Sequence, residues 1–363
     1  MKKIPVIDIT DLYHPHQDPG DNFDLIMPYA LPEIDLKAVI LDCTENNRQP
    51  VAYHRIPEFI DRTGPRDPGI IPVMQLNYIF NKNIPYGVGP FCKMNSPEDK
   101  LLDIPNFQQQ GIELLLQVLR GSSSKVHIMV FSSLRVLAAA YNRDPDIFHE
   151  KLERVWISAG ASSSKYLEWN VELDQNAFVC IMRSQLPIAL FPCATEEGPF
   201  DLGKYNSFYK LKDLLLIKEM DKKLKMYLWY AFSRSNRMDF LRAIEDEPDE
   251  ESLEEIYARP HNIWETAVWL LASGRTLVKT ENYSYKMTHT IQEKDIIVEN
   301  ELVPCSIEVH NDGLFDFKVN EANKSSNVLI YYRGNPEQNQ EAFSEALKDL
   351  YQSFKVLTTE SYP

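Results

Sequence analysis

A group of carboxylates and imidazoles lies near the start of the chain. Its members are Asp11, His14, His16, Asp18, Asp21 and Asp24. Carboxylates that converge can hold a hard cation such as Ca2+ or Mg2+, or act as a general base on a water molecule. The ordinary alternative is an acidic turn and helix cap, because Asp and Asn are common helix caps. The number of acids in so short a stretch favours a site.

A strand and a helix start are expected to position these side chains. Residues 6–9 are an apolar run bounded by Pro5, which is typical of a strand. Residues 18–20 (Asp-Pro-Gly) are a turn signal, and residues 21–24 open an apolar-periodic segment with Asx caps. Open α/β sheets bind ligands outside the carboxyl ends of their strands. The pattern therefore predicts a ligand site directly after the first strand.

Apolar strands alternate with helical segments along most of the chain. The segments 35–42, 126–131, 154–158 and 186–191 each contain consecutive apolar residues, as in strands buried on both faces. Helices are predicted between them, with long ones over residues 211–232 and 260–273. We therefore predict an α/β protein with a mostly parallel, Rossmann-like central sheet flanked by helices.

The pattern changes beyond Gly274. Residues 276–319 contain short alternating runs, followed by a strand at 328–332 and an amphipathic helix at 338–354. This predicts a C-terminal β extension and a final helix. We expect one domain over residues 1–363, with an α/β core at 1–274 and the extension with its closing strand and helix at 275–363.

Composition excludes several classes of protein. The formal net charge of −15 argues against binding of nucleic acid, which needs clustered Lys and Arg. Pro5 and Asp8 interrupt the N-terminus before a signal peptide could form, and no apolar run approaches the ~20 residues of a membrane span. Five scattered cysteines without a C-x-x-C pair predict a reduced, cytoplasmic protein without a zinc site. The oligomeric state stays open, a homo-oligomer included.

The acidic stretch resembles the N-terminal motif D-x-D-P-G-x-D-D of the inosine-uridine type nucleoside hydrolases. Here Asp11 ends the strand, residues 12–17 precede Asp18-Pro19-Gly20, and Gly20-Asp21 stands at the paired Asp.

Three later segments resemble the same family in the same order. Residues 132–136 (SSLRV) stand at its GPLTN turn, Glu168-Trp169-Asn170 with Asp174 is similar to E-F-N…D-P-E-A, and residues 259–262 (RPHN) stand at a His-Asp pair before a helix. The resemblance covers nearly the whole chain. It implies a nucleoside hydrolase-like fold and metal-dependent hydrolysis of the N-glycosidic bond of a ribonucleoside or related ribosylated small molecule.

The resemblance also implies roles for individual residues. In the family a calcium ion binds the sugar hydroxyls and the attacking water, and a motif Asp takes the proton of that water. Carried over, the roles are catalysis by Asp11 and His261, metal ligation by Asp11, Asp18, Asp21 and Asn262, and substrate binding by Glu168 and Asn170. His261 would protonate the departing base. Asn46 and Asn47, after the second strand, are further substrate-binding candidates.

Several departures from the family leave alternatives open. Asn262 replaces an acid, so calcium is expected to bind more weakly or to be replaced by another divalent metal, and Gly20 replaces an acid that grips ribose. His14 and His16 with Asp11 and Asp18 could form a transition-metal site, since imidazole suits Zn, Fe or Ni. The favoured interpretation of these histidines is a solvated loop. Arg135 beside a calcium site would be unfavourable unless it points away. A protein that has lost the calcium site and only binds a sugar or nucleoside is the alternative function.

Two tryptophans follow the His261 segment. Trp264 and Trp269 lie five residues apart, which favours core positions over a platform for substrate.

Overall fold

The strands of the computed structural model are short and mostly buried. The model describes residues 3–16, 18–44, 66–247, 249–319 and 326–356. In chain order the strands are β1 Ile4–Thr10, β2 Tyr13–His14, β3 Ile34–Leu41, β4 Asp67–Pro68, β5 Tyr86–Val88, β6 Val126–Phe131, β7 Leu152–Ser158, β8 Ile188–Phe191, β9 Tyr209–Leu211, β10 His261–Ile263, β11 Thr276–Lys279, β12 Tyr285–Thr288, β13 Ile296–Ile297, β14 Glu301–Val309, β15 Phe315–Val319 and β16 Val328–Tyr332.

Helices separate most of these strands. They are α1 Pro19–Asp24, α2 Ile26–Ala30, α3 Ile70–Ile79, α4 Asn106–Gly121, α5 Arg135–Arg143, α6 Pro145–Lys151, α7 Trp169–Leu173, α8 Gln175–Met182, α9 Lys222–Phe232, α10 Glu250–Tyr257, α11 Thr266–Ala272 and α12 Pro336–Ser353, with 3-10 helices at Leu215–Glu219 and Arg242–Ile244. No helix in the described part of the chain is long and apolar enough to cross a membrane.

Nine of the described strands form one large sheet, and the others form three small ones. The strands of the large sheet follow the order β15-β14-β16-β8-β7-β6-β1-β3-β5. All neighbours from β16 to β5 are parallel, whereas β14 and β15 are added antiparallel at one edge. The predicted α/β class, with a mostly parallel sheet, a C-terminal β extension and a final helix, is confirmed.

Alternation along β1 builds a core on both faces of the sheet. Val6 packs in one apolar layer with Phe23, and Ile7 and Ile9 pack in the opposite layer. Each such buried side chain stabilises the fold by ~1.5–3 kcal/mol. Asp8 shares the face of Val6, because side chains alternate along a strand, and it is also buried.

Two predicted helices are wrong in their extent. The first, at residues 211–232, contains the end of β9 and the 3-10 helix before α9, whose start is set by Asp221, since the Asp221 side chain accepts a hydrogen bond from the amide of Lys223. In the second, at residues 260–273, the first residues form β10, which pairs antiparallel with β9, and the helix begins only at Thr266.

The order of the strands places a ligand crevice at the end of β1. β1 lies between β3 and β6, so the chain passes from β1 to one side and later returns on the other. Such a reversal of strand order opens a crevice at the carboxyl ends of the strands.

Candidate active site

A cavity of about 220 Å³ opens at the carboxyl ends of β1, β6, β7 and β8. Its polar wall consists of Asp11, Asp18, Asp21, Glu168, Asn170 and Glu265. Its apolar wall is mainly aromatic and consists of Phe131, Trp169, Phe200 and Trp264, with Pro199 and Cys193. The acids predicted from the first loop therefore meet Glu168 and Asn170 in one place.

Asp11 directly follows β1 and is buried. Burial raises its pKa well above the ordinary value, and the charges of Glu265, Asp42 and Asp18 raise it further. A carboxyl of raised pKa takes up a proton more readily, as a general base must.

Asp18 and Asp21 come from the start of α1. Asp18 caps the helix, because its Oδ1 accepts a 2.8 Å hydrogen bond from the amide of Gly20. Asp21 lies in the first turn, and its pKa is raised well above the ordinary value by burial and then by the charge of Asp11. Asp18 therefore caps the helix, as the ordinary alternative expects, and it also lines the cavity.

Glu265 is a member of the acidic wall that the sequence did not predict. It directly precedes α11, and burial followed by the charge of Asp18 raises its pKa to about 7. The next residue, Thr266, donates a hydrogen bond from its hydroxyl to the buried Asp24. The sequence signal that could have identified Glu265 is its position, with Thr266, directly before the apolar run of the helix.

Asn262, the predicted metal ligand, lies elsewhere. It is on β10 opposite Lys210 and is not among the described side chains that line the cavity. The residues directly before the helix, where the resemblance expects the acid, are Trp264 and Glu265. Glu265, three residues after Asn262, is an acid that does line the cavity.

Glu168 and Asn170 line the cavity from the start of α7. Glu168 is the N-cap of this helix. Its carboxylate accepts hydrogen bonds from the amides of Gly160 (2.7 Å) and Asn170 (3.1 Å). Burial raises its pKa to about 7 against these bonds. The Asn170 side chain is fixed by a 2.9 Å bond to the carbonyl of Ser158.

His261, the predicted acid for the leaving base, is buried. Its ring packs edge-on against Phe23 and Phe232, with centroids 6.0 and 5.8 Å away. Burial lowers its pKa, against the charge of Asp18. It is not among the described residues that line the cavity. Because burial disfavours the protonated form of this imidazole, it is a weak candidate for proton donation.

His14 and His16 line a second, narrow crevice next to Tyr230. The ring of His14 stacks on Tyr230 at 5.7 Å. The geometry therefore gives no support to a transition-metal site that joins these imidazoles to Asp11 and Asp18. Asn46 and Asn47, the further substrate-binding candidates, lie outside the described residues.

Arg135 points away from the cavity. Its guanidinium is fully buried, forms a 2.9 Å ion pair with Asp174 and donates to the carbonyls of Pro90 and Leu173. The expected conflict between this cation and a calcium site therefore does not arise.

Aromatic rings form the mouth of the cavity. Trp264 contacts Phe200 and Phe208, with centroids 5.9 and 5.4 Å away, while Phe200 is 66% and Trp169 is 48% exposed. The expected core position is therefore wrong for Trp264, whereas it is confirmed for the fully buried Trp269.

A further buried acid lies on β1. Asp8 is three residues before Asp11, and burial together with the charge of Glu265 raises its pKa to about 8. One of its oxygens, Oδ1, has no hydrogen-bond partner within the described part of the chain.

The donor set suits a hard cation. Carboxylate oxygens are the ligands that calcium prefers, and the charges of Asp18 and Glu265 raise the pKa of both Asp11 and Asp21, a repulsion that a divalent cation would relieve. Across the described ranges, however, no group of three or more His, Cys, Asp or Glu side chains is already arranged as metal ligands. The residue types fit calcium, and their side chains would have to converge further to hold it.

Comparison with known proteins gives matches of structure alone. No protein-family model matches this chain, and no curated protein matches its sequence. A plant nucleoside hydrolase is 16% identical, with a TM-score of 0.53 over 95% of this chain and 99% of its own. A purine-preferring ribonucleoside hydrolase from Gardnerella vaginalis is 11% identical, with a TM-score of 0.53 over 96% and 99%.

An effector protein of known structure is similar to the same degree. It is 11% identical, with a TM-score of 0.51 over 97% of this chain and 95% of its own. At these identities the comparisons establish the fold. The chain has a nucleoside hydrolase-like fold over nearly its whole length.

Proposed function

We propose that this protein hydrolyses the N-glycosidic bond of a ribonucleoside or a related ribosylated small molecule. The observation that carries the proposal is the meeting of the first-loop acids with Glu168, Asn170 and Glu265 in one aromatic-walled cavity. The nucleoside hydrolase-like fold supports the same reaction class.

The chemistry follows from the charge of this wall. As the bond from C1′ of the sugar to nitrogen breaks, positive charge develops on the sugar, and fixed carboxylates around it stabilise that charge. Asp11, whose pKa is raised by burial, takes the proton of the attacking water. Glu168 and Asn170, fixed by main-chain hydrogen bonds, are placed to hold the sugar hydroxyls.

Calcium is part of the proposal as a cofactor. Its ligands would be Asp11, Asp18 and Asp21, with Glu265 in the place that the sequence gave to Asn262. When bound, a divalent cation supplies Lewis acidity, which lowers the pKa of a bound water.

A sugar- or nucleoside-binding protein without catalysis is the second candidate. It is favoured by two observations: the described acids are not arranged as a ligand set, and the Glu168 carboxylate is already engaged by main-chain amides. Binding without turnover would identify this candidate.

Release of free ribose tests the proposal. Chelator-treated protein would be assayed with inosine, uridine and a pyridinium riboside, with and without added calcium. We expect turnover that falls by about 10²–10⁴-fold in Asp11→Asn, the contribution typical of a general base. Asn262→Ala, outside the cavity, is the matched control and should retain activity. No ribose from any riboside would refute hydrolysis.

A further inference from the structure

The cavity has a one-sided charge. Among the described residues that line it, Asp11, Asp18, Asp21, Glu168 and Glu265 are acidic and none is Lys, Arg or His. The buried cation Arg135 is paired with Asp174 and is not among the described residues that line the cavity. In its ionised form, a wall of this composition attracts positive charge and repels anionic ligands.

The mouth of the same cavity offers aromatic faces. Trp169 and Phe200 are 48% and 66% exposed, and Trp264 is held beside them by a 3.2 Å hydrogen bond from its indole N–H to the carbonyl of Pro199. Aromatic rings bind a planar ligand by stacking, and they attract a cation through the negative face of the ring. Acids inside and rings at the mouth are therefore both suited to a flat, positively charged group.

The chemistry of the leaving group also favours a ligand with a positively charged base. A neutral base leaves as an anion unless it receives a proton, but His261 is buried against Phe23 and Phe232 and is not among the described residues that line the cavity. An acid of the wall could donate a proton, but it would then lack the negative charge that stabilises the sugar cation. A base that is already cationic at the glycosidic nitrogen needs no proton donor.

We infer that the cavity selects ribosides whose base carries a positive charge at the glycosidic nitrogen, with pyridinium ribosides as the type. This inference rests on the proposed function for the location of the site. In the reaction, the electron pair of the C1′–N bond goes to the pyridinium nitrogen, which leaves as a neutral pyridine. The oxygen of water bonds to C1′, and the released proton passes through Asp11 to solvent.

Two ligands of nearly the same shape test the selection. Nicotinamide riboside carries a pyridinium ring, and benzamide riboside replaces the charged nitrogen by carbon, which makes the ring neutral and the bond to ribose resistant to hydrolysis. Calorimetry would compare their dissociation constants on chelator-treated protein, with chromatography to verify that the nicotinamide riboside stays intact. We expect the cationic ligand to bind about tenfold or more tightly, because charge and ring act together.

Ring-deletion variants test the aromatic mouth. Phe200→Leu and Trp169→Leu change exposed side chains and should leave folding intact. We expect each to weaken nicotinamide riboside by about three- to tenfold, the effect of one cation–π contact, and benzamide riboside by less. Tyr283→Leu, at an 80% exposed ring between β11 and β12, is the matched control and should change neither constant.

The outcomes separate this inference from the proposed function. Equal affinity for the two ligands overturns the inference, and ribose release from neutral nucleosides would still leave hydrolysis standing. Tighter binding of the cationic ligand supports the inference, whether or not ribose is released. Absence of ribose release from every riboside overturns hydrolysis alone.

Discussion

The main-chain amide of Gly160 donates a 2.7 Å hydrogen bond to Oε2 of Glu168, which ties the loop after β7 to the start of α7. Gly160 has a φ of +86°, and a Cβ there would lie 2.7 Å from the ring of Phe315, so the position requires glycine. Glu168 therefore caps a helix and lines the cavity with the same carboxylate.

The two roles of Glu168 can be separated by substitution. Glu168→Gln keeps an oxygen for the main-chain amides but loses the charge, whereas Glu168→Ala loses both. We expect both to lower kcat/KM by about 10²-fold, as loss of one electrostatic contact to the transition state does. Only Glu168→Ala should also lower the free energy of unfolding by about 1 kcal/mol, the contribution of an N-cap. Thermal unfolding and ribose release would measure the two effects, and equal stability of the variants would contradict the cap.

The pKa of Glu265 predicts how stability depends on pH. Burial and Asp18 raise this pKa from an ordinary 4.5 to about 7. An acid with a raised pKa binds its proton more tightly in the folded state, so its contribution to stability is present below about pH 4.5 and is lost as the pH rises through about 7. Asp8, with its pKa raised to about 8, acts in the same direction.

Metal-free protein should therefore melt at a lower temperature at about pH 8 than at about pH 5. Glu265→Gln has no charge to bury, so its melting temperature should fall less over this range and exceed that of the wild type at the upper end. Thermal melts across the range measure this difference. Glu255→Gln, at an exposed position of α10, is the control and should follow the wild type. A Glu265→Gln profile parallel to the wild type would contradict the assigned pKa.

Calcium titration distinguishes Glu265 from Asn262 as the ligand before α11. If Glu265 contributes, Glu265→Gln and Asp21→Asn should each weaken calcium by at least about tenfold, because affinity depends on the number of charged ligands. Asn262→Ala should bind as the wild type does. Calorimetry on chelator-treated protein makes the comparison. Loss of binding in Asn262→Ala alone would return the role to Asn262.

Arg135 should be important for stability. Arg135→Met removes the fully buried partner of Asp174 and should lower the free energy of unfolding by about 3–5 kcal/mol, because an unpaired buried carboxylate remains. Adding Asp174→Asn removes that charge, keeps a side-chain oxygen for the amide of Ala177, and should recover part of the loss. Urea unfolding measures both. A loss below about 1 kcal/mol in the single variant would contradict the role of the pair.

The sheet could be predicted from the sequence because it depends on local pattern. Strands buried on both faces leave continuous apolar runs, and β6 (Val126–Phe131) has the predicted bounds. The acids of the first loop could be predicted for the same reason, since Asp11 and Asp21 follow a strand and a turn signal directly.

The opposite wall of the cavity could not be predicted in this way. Residues 260–273 have helical periodicity throughout, so the sequence predicts Glu265 inside a helix. In the structure residues 261–263 pair with β9 instead, and the helix begins only after Glu265. Phe200 lies in a loop, where position depends on tertiary packing against Phe208 and Trp264. No local pattern records such contacts.

The cavity joins the first strand of the chain to the start of α11, since Asp11 and Glu265 both line it. A ligand that contacts both Asp11 and Glu265 is released when either segment unfolds, so its binding is coupled to unfolding of the sheet. A ligand at a hundred times its dissociation constant would then raise the free energy of unfolding by about 2.7 kcal/mol. A melting-temperature survey of small molecules would therefore reveal the natural occupant before its chemistry is known.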